Sequence, residues 1–252
     1  MDKQSVLAEL VELSHYLGDP GKPYAMIGEG NTSARIDEDR FFIKASGTCL
    51  GTMGPGDFLE VSISKVTAIL DDLSATDADV TANLRNALID PNEKRMPSVE
   101  TMMHALLYKY AEYNFIGHTH PIATNALMCS IHAREAAMGR LCPDHIVVLG
   151  HKSVFVPYVD PGLVLAREVR ARVRQYVEEE GVAPKAMLLE NHGIFALGPN
   201  AKSVKNITDM GEKMHQVLVG VYSIGGPKWM TEADIRRIDT RPDELYRQKT
   251  IA

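Results

Sequence analysis

Cysteine is scarce in this chain. Cys49, Cys129 and Cys142 are odd in number and show no Cys-x-x-Cys spacing. A disulfide scaffold is therefore not expected, and a reducing cytoplasm is the expected compartment. No apolar stretch is long enough to span a bilayer. The first residues, Met1-Asp2-Lys3-Gln4, run into a charged amphipathic segment with no signal-peptide apolar region. No run of Lys and Arg stands out, and the net charge is -6. Nucleic acid and anionic membrane are thus not expected as partners. There is no internal repeat, low-complexity tract or linker. What remains is a chain of 252 residues with 45% apolar and 24% charged residues, ordinary values for a globular protein. One domain over 1–252 is the economical reading, with residues 228–252 as a C-terminal tail.

Periodicity gives the elements. A helix is expected over 5–17, with Leu7, Leu10, Val11 and Leu17 near one face and Gly18-Asp19-Pro20-Gly21 stopping it. Small residues from Gly28 to Ser33 suggest a turn entering a strand. Phe41–Lys44 reads as its hairpin partner around Asp37-Glu38-Asp39. Phe58–Val61 is a further strand, and residues 64–90 hold two helices, the second capped by Thr76 with Asp79 three on. Pro97-Ser98 opens a helix with Ser98 as N-cap and Glu100 in the first turn, where the helix dipole favours a carboxylate. Tyr113–Pro121 reads as a strand, 122–138 as a helix, and Ile146–Leu149 and Val154–Pro157 as strands around Gly150-His151-Lys152. A helix over Leu163–Glu180 follows, then strands Ala186–Glu190 and Ile194–Leu197 flanking Asn191-His192-Gly193. A long helix spans Asn200–Ile224, and two short ones fill the tail. Strands joined by short turns, with helices between groups, predict an α/β fold with a mixed, largely antiparallel sheet covered by helices.

The chemistry concentrates at Gly117-His118-Thr119-His120-Pro121. Residues two apart in a strand point to one face, so His118 and His120 would project together from a strand end. Catalytic zinc sites commonly take three protein ligands and keep one position open. His192, at a sharp turn before a glycine, is the candidate third ligand. A single histidine is more often a satisfied structural residue, but two bulky imidazoles at one strand end need partners. His104 reads as structural, and His15, His132, His145, His151 and His215 show no partnering pattern. Glu100 alone reads as a helix-start glutamate. Facing a metal, it would be a general acid or base. The turns Gly28–Ser33 and Lys44–Thr48 offer backbone N–H groups and hydroxyls to an anion, as does Ser98.

Five ordered motifs carry a resemblance. They are Gly30-Asn31-Thr32-Ser33-Ala34-Arg35, Lys44-Ala45-Ser46-Gly47, Pro97-Ser98-Val99-Glu100 with His104 one turn on, His118-Thr119-His120-Pro121, and Leu189-Glu190-Asn191-His192-Gly193. Together they resemble the class II aldolase/adducin family, which includes fuculose-1-phosphate and rhamnulose-1-phosphate aldolases and ribulose-5-phosphate 4-epimerase. The match runs from about Leu7 to Ile224.

The resemblance implies a single three-layer α/β/α domain, usually in a cyclic homotetramer. It implies one divalent metal per chain, normally Zn2+, on His118, His120 and His192; three imidazoles also suit Mn2+ or Co2+. Glu100 would be the acid/base, and Gly30, Asn31, Ser46, Gly47, Ser98 and Val99 would hold the substrate's phosphate. The implied reaction is cleavage of a ketose 1-phosphate to dihydroxyacetone phosphate and an aldehyde, through an enediolate that the metal stabilises. Epimerases of the family carry Asp where this chain has Glu100, which favours the aldolase. Val99 departs from the Ser-Ser that often precedes the acid, which keeps open a 4-epimerase, a decarboxylase or an unphosphorylated substrate. Asp144 and Tyr246 are candidate proton donors from the tail or a neighbouring subunit. Adducin-like structural modules lack the metal histidines, so the three retained here weigh against that reading.

Overall fold

The computed structural model describes residues 2–110 and 112–251. In chain order the elements are α1 (Lys3–Leu17), β1 (Asn31–Arg35), β2 (Arg40–Lys44), β3 (Phe58–Ser62), α2 (Ile63–Thr67), α3 (Asp77–Ala87), α4 (Thr101–Leu107), β4 (Phe115–Thr119), α5 (Ile122–Met128), α6 (Ala133–Met138), α7 (Pro143–Leu149), β5 (Val154–Val156), α8 (Leu163–Glu180), β6 (Ala186–Leu189), β7 (Gly193–Gly198), α9 (Ala201–Ser223), α10 (Glu232–Thr240) and α11 (Pro242–Ile251).

The seven strands form one sheet in the order β3-β2-β1-β4-β7-β6-β5. Every pairing is antiparallel except β5–β6, whose parallel connection is made through α8. Alternation along the strands builds two apolar layers. Phe41, Ile43, Ile116, Phe195 and Leu197 face a core shared with α4 and α8. Phe42, Phe115, Ile194 and Ala196 face the opposite core, shared with α1 and α9. The fold is therefore a mixed sheet between two helical layers, as the strand patterning predicts.

Local signals account for most boundaries. The Asp37 carboxylate accepts from Asp39 N and Arg40 N and turns the β1–β2 hairpin. Thr76 and Asp79 form the expected capping box at α3. Gly181 ends α8 in the left-handed conformation, and Asn200 caps α9.

Three expectations are corrected. Ile146–Leu149 is not a strand but the body of α7, opened by Pro143 and closed by Gly150. All four side chains are buried, so the run carries no periodicity to separate helix from strand. Residues 122–138 form two helices, α5 and α6, separated by a turn at Cys129–His132. The helix after Pro97 begins at Thr101, so Glu100 is its N-cap and not a first-turn residue, while Ser98 Oγ accepts from Glu100 N at 3.3 Å.

A candidate metal centre with an adjacent carboxylate

Three central strands bring the site together. β1 and β4 pair with Asn31 opposite His118, and β4 and β7 pair with Thr119 opposite Ile194. The start of β1, the end of β4 and the turn before β7 thus meet at one edge. Two glycines permit this approach. A Cβ on Gly30, whose φ is +65°, would lie 2.6 Å from His118 O, and one on Gly193 would lie 2.5 Å from Thr119 O. Asn191 adopts φ +54° and swings His192 toward the end of β4.

The Nε2 atoms of His118 and His120 are 2.9 Å apart. His118, His120 and His192 each offer a ring nitrogen, with these atoms within 4.8 Å of one another. His118 Nδ1 lies 3.0 Å from Ile194 O, which fixes its proton there and leaves Nε2 as a lone-pair donor. Its ring stacks on Phe195 with centroids 4.2 Å apart. Burial pushes His118 well below its usual range and lowers His120 too, which favours the lone-pair form of both rings. Neutral imidazoles with converging nitrogens are the donor set a divalent ion such as zinc requires, and the residues fit such an ion.

Glu100 completes the cluster. Its Oε1 is 3.1 Å from His192 Nε2 and its Oε2 is 3.4 Å from His118 Nε2. Asn31 Nδ2 also donates to Oε2. Burial opposes the carboxylate charge, but His118, His192 and Asn31 outweigh it and hold the carboxyl well below the usual carboxylate range.

The small-residue turns lie alongside. Ser46 N donates to Met96 O at 2.8 Å and Ser98 N to Lys44 O at 3.2 Å, which sews the Ser46-Gly47 turn to the Ser98-Val99 turn. Ser46, Gly47 and Val99 are exposed, while Ser98 and Gly30 are buried. The Asn31 side chain is turned inward to Glu100, Ser98 and His104.

The sequence reading offered the Lys44–Thr48 turn to an anion but gave the Lys44 side chain no role. Lys44 is 3% exposed, and its Nζ donates to Gly28 O at 3.0 Å. Burial lowers its pKa, with Cys49 and Glu100 pulling the other way. A lysine opening a small-residue turn at the end of an apolar strand was the available signal.

The remaining histidines are held elsewhere. His15 meets Met53 O, His132 is 3.4 Å from Glu135, and His151 bridges Glu180 and Asp239. His145 and His215 are buried in α7 and α9. Asp144 pairs with Arg247 at 2.7 Å, and Tyr246 is exposed on α11.

Fold and site together define a three-layer α/β protein with a tri-histidine centre and a carboxylate at its side. Residues 8–219 match the family model described as "Class II Aldolase and Adducin N-terminal domain". The chain belongs to that family. It is 28% identical over 203 residues to "Uncharacterized oxidoreductase YuxG" of Bacillus subtilis (strain 168), a match covering 77% of this chain and 27% of that protein. It is 22% identical to the "3-oxo-tetronate 4-phosphate decarboxylase" of Haemophilus influenzae, covering 86% of this chain and 89% of that one. A "Methylthioribulose-1-phosphate dehydratase" of Microcystis aeruginosa is 24% identical over 77% of this chain and 86% of its own length. Among solved structures, an "L-fuculose 1-phosphate aldolase" shares the fold with a TM-score of 0.68 and 19% identity, covering 95% of this chain and 96% of that one.

Proposed function

We propose that this chain is a metal-dependent lyase acting on a small phosphorylated sugar, with aldol cleavage of a ketose 1-phosphate as its first reading. The carrying observation is the Glu100 carboxylate lying 3.1 and 3.4 Å from two of three converging imidazoles. His118, His120 and His192 would hold the cation, Zn2+ by preference, with Mn2+ or Co2+ as substitutes. Bound there, it would polarise substrate oxygens and offset negative charge developing on them. Cleavage removes a proton from the hydroxyl on C4, breaks the C3–C4 bond and places a proton on C3. Glu100 is the group proposed to carry the C3 proton, because it is half-buried, held ionised and placed at the centre. Gly30, Asn31, Ser46, Gly47, Ser98 and Val99 would form the phosphate cradle, with Lys44 adding positive charge. The chain is proposed to act as one domain with residues 228–252 as its tail, assembled as a homotetramer in the cytoplasm.

A second reading is favoured by the decarboxylase and dehydratase relatives and by Val99, which is 61% exposed and supplies no hydroxyl. Those reactions would use the same proton-carrying carboxylate on a different substrate. Product analysis separates the readings. Fuculose-, rhamnulose- and ribulose-1-phosphates, methylthioribulose 1-phosphate and a 3-oxo-tetronate 4-phosphate would be offered in parallel. Dihydroxyacetone phosphate from a ketose 1-phosphate supports the aldolase. Water or carbon dioxide loss without it replaces the aldolase by the second reading.

A further inference from the structure

Behind Glu100 runs a row of hydrogen bonds that the proton transfer does not itself use. Asn31 gives Nδ2 to Glu100 Oε2 and to Ser98 Oγ (3.3 Å), while its Oδ1 meets His104 Nε2. His104 Nδ1 lies 2.7 Å from Ser33 Oγ, and Tyr108 OH lies 2.7 Å from the same oxygen. Asn31, Ser33, His104 and Tyr108 are 3%, 0%, 0% and 2% exposed, so water does not replace these bonds.

With a neutral His104 ring, one order of donors satisfies this row. An ionised carboxylate only accepts, so Asn31 presents its NH2 to Glu100. Asn31 Oδ1 then needs a donor, which places the His104 proton on Nε2. Nδ1 becomes an acceptor for the Ser33 hydroxyl, and Ser33 accepts from Tyr108. The two ends of an amide are nearly the same shape, and a flipped Asn31 would turn its oxygen against the carboxylate. A donor on Oδ1 opposes that flip, and His104 Nε2 supplies it.

We infer that His104, backed by Ser33 and Tyr108, is a positioning residue that locks the Asn31 amide and thereby holds Glu100 between His118 and His192. The inference rests on the acid/base role proposed for Glu100. The competing role for His104 is packing alone, against Phe195 at a centroid distance of 5.4 Å.

Three variants and two readouts test it. His104→Leu keeps bulk and removes the bonds, His104→Gln restores a donor and an acceptor, and Tyr108→Phe removes one hydroxyl. The first readout is steady-state kinetics on whichever substrate the panel shows to be turned over. For His104→Leu, kcat should fall at least about tenfold while KM stays within about twofold of wild type. His104→Gln should recover to within about threefold of wild type, and Tyr108→Phe should show a smaller loss in kcat alone. The second readout is the visible spectrum of the Co2+-loaded resting protein, which reports on groups around the ion without any turnover. His104→Leu should move its bands away from wild type, as Glu100→Gln should. A kcat loss that His104→Gln does not recover, or a cobalt spectrum unchanged in His104→Leu, overturns the inference. If the wild-type protein turns over nothing on the panel, the proposed function fails and the cobalt spectrum alone decides the role of His104.

Discussion

At the scale of residues, the site depends on what each nitrogen and oxygen is bonded to on its far side. His118 gives its Nδ1 proton to Ile194 O, which aims Nε2 inward. Glu100 takes a hydrogen bond from Asn31 and stays charged in a place that would otherwise neutralise it. Removing that charge while keeping the shape should be decisive. Glu100→Gln is expected to retain metal and lower kcat by at least about a hundredfold, because a general acid/base contributes factors of that order. Steady-state kinetics beside metal analysis checks it, and near-normal turnover would remove Glu100 from the mechanism. His192→Ala is expected to lose both metal and turnover, read by the same two measurements. Much of this centre was legible beforehand. The two-residue spacing of His118 and His120 places both on one face by strand geometry alone. The duty of Asn31 and His104 was not legible, because Asn31 reaches His104 and Glu100 only through the β1–β4 pairing and the packing of α4.

At the scale of elements, helix α5 must start where β4 ends, directly after His120 and Pro121. Glu212 of α9 secures that start. Its carboxylate accepts from Ala123 N and Thr124 N at 3.0 Å each and from Thr124 Oγ1 at 3.1 Å, and it is 3% exposed. Glu212→Ala leaves those buried donors unsatisfied and should cost about 2–3 kcal/mol of stability. Because α5 anchors the chain leaving His120, the variant should also release metal faster on chelation. Denaturant melts and chelator-competition rates test the two consequences, and an unchanged midpoint would contradict the first. The element readings succeeded where one face is apolar and the other polar, as in α1, α8 and α9. They failed at α7, where burial on every side erases the period and only Pro143 and Gly150 mark a helix.

At the scale of the whole molecule, the sheet is a platform whose central strands β1 and β7 begin and β4 ends at the site, while both helical layers bury its faces. No helix among the described residues is long and apolar enough to cross a membrane. The interior holds several histidines in neutral form. Burial lowers His104 and His215 from 6.5 to about 4 and His145 well below 6.5. Their folded pKa values lie below the unfolded value, so the unfolded chain gains protons first on acidification. This contribution to stability is complete above about pH 6.5 and is lost as pH falls toward about 4. The melting temperature of metal-free protein should therefore drop between pH 7 and pH 5, with a shallower drop in His215→Gln. A flat profile across that range would contradict the neutral assignment. The central claim, a divalent ion held by three imidazoles beside an ionised glutamate, is tested most directly by metal analysis of the purified chain paired with turnover before and after chelation. The account predicts about one zinc per chain, turnover abolished by the chelator and restored by added Zn2+. Turnover that survives complete removal of metal, or a chain that takes up no divalent ion, would contradict it.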